Sequence, residues 1–142
     1  MLRFVGIVGV VAIATGCAST TEPRLSYEGH SNVLATGPTV VDATVTVRNT
    51  GSVAANIPVP PCPLTIAAYA TADRNNEPLW RSGTEGCVSD LMILPPIVIA
   101  PGDFYDFNVR ASLPASLSGK RVFLTMSVPT ATAVPIGQVV VK

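Results

Sequence analysis

The sequence predicts an all-β chain, an antiparallel two-sheet sandwich of about seven to nine short strands behind a cleaved N-terminal segment. Three observations carry this. Apolar residues alternate with polar ones at period two in several stretches. The chain holds 13 Pro and 11 Gly in 142 residues, a level of punctuation that suits many short strands better than a few long helices. Turn signals recur every 8 to 12 residues, the spacing of sandwiches and barrels.

The N-terminal segment comes first. Met1-Leu2-Arg3 is a short positive start, followed by 11 unbroken apolar residues from Phe4 to Ala14. That run is too short to span a bilayer, which needs about 20 residues, and has the length of a secretory core segment. Ala14-Thr15-Gly16-Cys17 then resembles a bacterial lipobox, with Ala14 where Leu is usual. Residues 1–16 are therefore expected to be a lipoprotein signal peptide and Cys17 the lipidated residue. Cleavage after Ala12-Ile13-Ala14 by an ordinary signal peptidase is the rival reading, and gives a secreted soluble form. The cysteine count separates the two: Cys62 and Cys87 can pair in an oxidising compartment, leaving Cys17 odd unless it is acylated. Two or more acyl chains at about 0.8 kcal/mol per buried CH₂ hold a protein stably on a membrane. Ala18 follows the cysteine; by resemblance to lipoprotein sorting, the absence of Asp there implies the outer membrane of a cell envelope that has one.

Residues 17–26 read as a polar, flexible tether and residues 27–142 as the sandwich domain. In the domain, Val41, Ala43, Val45 and Val47 alternate with polar residues up to the turn Asn49-Thr50-Gly51. Tyr105, Phe107, Val109 and Ala111 form a second such set, and Val122, Leu124, Met126 and Val128 a third. Each gives one core face and one wet face. Weaker strands are expected at Asn32 to Thr36, Ser52 to Val59, Leu64 to Thr71, Pro78 to Arg81, Leu91 to Ile99 and Gly137 to Val141. Ala100-Pro101-Gly102-Asp103 is a tight turn, with Pro setting φ and Gly allowing φ > 0. Pro95-Pro96 should break a strand. One helical turn is expected near Pro114 to Leu117.

Cys62 and Cys87 are separated by 24 residues. Their pairing would close a local loop, worth about 3.5 kcal/mol in the chain-entropy model, and would tie Pro58–Pro63 to Gly83–Val88. An antibody-type bridge spans a much longer stretch. A metal site lacks the paired spacings of zinc ligands.

The order of motifs resembles the BsuPI-like (intracellular proteinase inhibitor) domain family, an immunoglobulin-like sandwich. The resemblance rests on Val47-Arg48-Asn49-Thr50-Gly51, Pro78-Leu79-Trp80-Arg81 and Ile99-Ala100-Pro101-Gly102-Asp103-Phe104, and covers about Val41 to Val109. It implies an immunoglobulin-like fold and protease inhibition. No inhibitory residue maps across, and the leader departs from the word intracellular.

Charge and chemistry narrow the function. Nine basic and nine acidic side chains cancel; loss of the leader removes one Arg and leaves 8 minus 9, or −1. No basic patch for nucleic acid follows from that. His30, the one histidine, stands beside Ser31, and neighbours on a strand point to opposite faces. Asp103 and Asp106 read as a turn residue and an outward strand residue. Asp73, Asn75 and Glu77 are spaced faintly like calcium ligands, but Pro78 stands where such a loop needs Gly. No catalytic residue, metal or cofactor is therefore assigned. Trp80 is core if buried; exposed beside Arg81 it could anchor a partner, since both types are frequent hot spots. Pro60 and Pro61 belong to a rigid segment that is either a recognition surface or a constrained crossover. The expectation is a lipid-anchored, non-catalytic protein-binding module. The alternative is an extracytoplasmic protease inhibitor that uses the disulfide-held loop.

Overall fold

A computed structural model describes residues 22–34, 37–60, 64–74, 76–83 and 94–142. Nine strands follow one another: β1 (Leu25–Val33), β2 (Val40–Asn49), β3 (Ala55–Ile57), β4 (Ile66–Tyr69), β5 (Trp80–Arg81), β6 (Ile97–Ile99), β7 (Phe104–Ser112), β8 (Arg121–Val128) and β9 (Ala131–Val140). A 3₁₀ turn at Ala115–Leu117 precedes β8, where the sequence places a helical turn. No helix among the described residues is long and apolar enough to cross a membrane.

Every pairing is antiparallel. Sheet I has the order β1-β2-β7 and sheet II the order β5-β4-β8-β9. In the lettering of immunoglobulin-like domains these are A-B-E and C′-C-F-G, with consecutive pairs of strands crossing between the sheets. The link from β2 to β4 contains β3, and the link from β5 to β7 contains β6. These two crossing segments pair with each other as a small ribbon, Ala55 opposite Ile99 and Ile57 opposite Ile97.

Period-two alternation explains the core. Val41, Ala43, Val45 and Val47 of β2 are all buried, as are Val122, Leu124, Met126 and Val128 of β8. They meet Ile66 and Ala68 of β4 and Val134, Ile136 and Val139 of β9 in one cluster. Removing such side chains from water supplies the main driving force for stacking the sheets.

Three expectations differ from what is observed. The first strand is not Asn32 to Thr36 but runs from Leu25 to Val33, so Leu25 and Ser26 of the expected tether belong to β1. Its inward positions include Gly29 and Ser31, which do not read as a core face. They are small because β1 lies directly on β9: a Cβ at Gly29 would sit 2.2 Å from the Pro135 carbonyl oxygen, and Ser31 Oγ donates to the Ile136 carbonyl at 2.8 Å. The last strand begins at Ala131, not Gly137. Pro135 and Gly137 look like breakers, yet β9 is an edge strand where a missing N–H is tolerated, and the register shifts beside them. Finally, Tyr105 is 42% exposed although its alternation places it inward. It lies near the start of β7, also an edge strand, and rests edge-on against the Phe107 ring at 4.9 Å.

Candidate functional site

Among the described residues, those selected from the sequence do not converge. Cys17, Pro61, Cys62 and Cys87, on which the expected lipidation and the expected disulfide rest, lie outside the described residues. Pro60 is half-buried just after β3. Trp80 and Arg81 form β5, opposite Ala68 and Ala67 of β4. Ala68 belongs to the core, and Trp80 packs against that core half-buried. Arg81, one residue on, faces the other side and is exposed. The two residues therefore cannot present one joint anchor.

The turn residues of the sequence come together at one end of β2. Gly102 has φ +86°, and the Asp103 N–H donates to the Ala100 carbonyl at 3.0 Å, the closure of a type II turn with Pro101 and Gly102 in its centre. Asn49 is fully buried beside it. Its Nδ2 donates to the carbonyls of Val53 at 2.7 Å and Ile99 at 2.9 Å, and its Oδ1 accepts the Gly51 N–H. Its backbone donates to Asp103 and accepts from Gly102. One side chain thus fastens β2, the β2–β3 turn and the end of β6.

The outward face of sheet I carries the most ordered polar array among the described residues. Opposed residues of β2 and β7 pair row by row. Arg110 grips Asp42 with two hydrogen bonds, at 2.5 and 2.8 Å. Thr44 Oγ1 donates to Asn108 Oδ1 at 2.7 Å, and Thr46 Oγ1 to Asp106 Oδ1 at 2.6 Å. In the last row the Arg48 guanidinium lies 5.1 Å from the centre of the Phe104 ring. The β1 neighbours in these rows are Asn32, His30, Glu28 and Ser26. Arg110 holds the Asp42 carboxyl below its ordinary value, chiefly through the hydrogen bond, against desolvation, with the charge of the guanidinium adding a smaller lowering; the guanidinium is raised in turn. A shallow hollow of about 370 Å³ lies over the Asp42–Arg110 and Thr44–Asn108 rows.

Sheet II has a second hollow of about 370 Å³ on its outward side. Ala72, Arg74, Phe123, Thr125, Pro135 and Gln138 line it. Arg74, at φ 54°, reaches across and donates to the Ala133 carbonyl at 2.6 Å. This wall offers one cation, one amide and an aromatic face. Arg74, Phe123 and Gln138 were not singled out by sequence, because their proximity depends on the β4–β5 turn folding over β8 and β9. The polar rows, in contrast, follow from two visible alternations laid side by side.

The chemistry of individual residues is now placed. His30 points outward opposite Thr44, away from Ser31, whose hydroxyl is engaged with β9. Asp106 serves a polar row. The Asp73 carboxylate accepts from Thr71 within its turn at 2.5 Å. Among the described residues no cluster of three or more His, Cys, Asp or Glu could hold a metal. Comparison with family models, with curated proteins and with solved structures gave no match for this chain.

Proposed function

We propose that the chain is a lipoprotein of the cell envelope, anchored through Cys17, whose sandwich acts by binding another protein and not by catalysis. The observation that supports a binding role best is the outward face of sheet I. Polar side chains of β2 and β7 engage one another across the strands, Asp42 with Arg110, Thr44 with Asn108 and Thr46 with Asp106. Side chains locked in this way give a preorganised surface, and preorganisation lowers the cost of association. The leader Met1–Gly16 and the odd Cys17 support the anchor. The BsuPI-like motif order suggests a protease as one kind of partner, with the Cys62–Cys87 loop entering its cleft.

Reversible cross-linking in intact envelopes, followed by purification of the chain, tests the binding role. The expected result is a discrete envelope protein recovered with the chain, and lost when Thr44 and Asn108 are both changed to Glu. Recovery of no partner, or of the same one regardless of that change, contradicts a role for this face. A partner that is a protease, inhibited until the Gly83–Val88 loop is altered, would select the inhibitor reading.

A further inference from the structure

The polar rows of sheet I end on β7, whose far edge has no strand partner among the described residues. Among the described residues β7 pairs with β2 alone. Two bonds that continue this ladder set its phase: Leu113 N–H to the Thr39 carbonyl, and Asn49 N–H to the Asp103 carbonyl. Odd-numbered residues of β7 therefore aim their backbone groups at β2. Phe104, Asp106, Asn108, Arg110 and Ser112 aim theirs at the open edge, because bonded and free positions alternate along an antiparallel strand.

Natural edges are usually blunted by Pro, charged side chains (Lys above all), a bulge or a short strand. β7 is nine residues long, contains no Pro, Gly or Lys, and keeps unbroken register with β2. Among the described residues the Asp106 carbonyl accepts a long 3.4 Å contact from Asn108 Nδ2. The edge carries one acid and one base, Asp106 and Arg110, placed symmetrically about Asn108.

That symmetry identifies the occupant. We propose that β7 is a self-association edge: two copies join β7 to β7 antiparallel about Asn108, fusing two three-stranded sheets into one of six strands. In this register Asp106 faces Arg110 of the second copy, twice by symmetry, and Asn108 faces its own counterpart. Phe104 faces Ser112, while Phe107 faces Val109 on the inward side. Centring on Asp106 or Arg110 sets like charges against each other. Centring on Phe107 or Val109 leaves both charges without an opposite. The half-buried Val109 and Ala111 and the exposed Tyr105 lie along the same edge and would lose solvent. Opposed unlike charges stabilise a strand pair and like charges destabilise it.

Cysteine cross-linking of the full chain in intact cells tests the register. Asn108→Cys places two sulfurs on a pair about 5.5 Å apart at Cα, within disulfide reach, so a reducible dimer should form well above the level of the unsubstituted chain. Ser112→Cys should stay at that level, since its two copies lie about 27 Å apart in this register at 3.4 Å per residue. Adding Asp106→Arg to Asn108→Cys should cut the dimer about tenfold by opposing Arg to Arg twice. Asp106→Asn, which keeps an acceptor for Thr46, should lower it in the same direction. The proposal is overturned if Asn108→Cys does not exceed the unsubstituted chain, if Ser112→Cys cross-links equally well, or if neither Asp106 change alters the yield.

Discussion

Asn49 concentrates the polar chemistry of the interior. Both of its Nδ2 protons and its Oδ1 are engaged with backbone groups at full burial. Asn49→Ala would leave the Val53 and Ile99 carbonyls and the Gly51 N–H without that partner. Denaturant unfolding should show a loss of about 2–4 kcal/mol, since a buried unpaired group costs about 1–3 kcal/mol. Asp42 is the opposite kind of residue, charged and only half-buried. Its carboxyl is held below its ordinary value by Arg110. A depressed carboxylate adds stability above its unfolded pKa and loses it as pH falls through the folded value, so the window lies below about pH 4. NMR titration should find the Asp42 midpoint below that of an ordinary Asp and returned to it in Arg110→Gln. An unchanged midpoint would show that the pair is not formed in solution.

At the scale of elements, two glycines act by different physics. Gly29→Ala drives a Cβ into the Pro135 carbonyl and must push β1 off β9; thermal or denaturant unfolding should record about 1–3 kcal/mol of destabilisation. Gly102→Ala meets nothing within 4 Å, but forces Ala to φ +86°, at about 1–2 kcal/mol. Strand legibility followed the same division. β2 and β8 could be read because each buries one apolar face between two neighbours. β1 is not legible in the sequence, because its close approach to β9 requires Gly29 and Ser31 where alternation would show large apolar residues. Only the second half of β9 is legible, because its position and bulging admit Pro135 and Gly137. The Ala100–Asp103 turn was legible to the residue, since its φ requirement is local.

The whole molecule shows what a single sequence conveys about placement. Alternation and turn spacing suffice for an antiparallel sandwich, and the order β1-β2-β7 over β5-β4-β8-β9 adds the immunoglobulin-like path. Which strand ends as an open edge, and which side chains face one another across β2 and β7, depends on pairing that alternation does not encode. The cross-strand rows therefore emerged only from the fold, although every residue in them sat at a visible outward position. Trp80 and Arg81 show the converse: adjacent in sequence and attractive as a joint anchor, they are divided by the pleat of β5.

Attachment to the envelope through Cys17 is the central claim. It is tested most directly by the intact mass and N-terminal peptide of the mature chain taken from its own cells. The expected result is a chain beginning at Cys17 that carries acyl groups. A chain beginning at Thr15 with an unmodified Cys17 would contradict it.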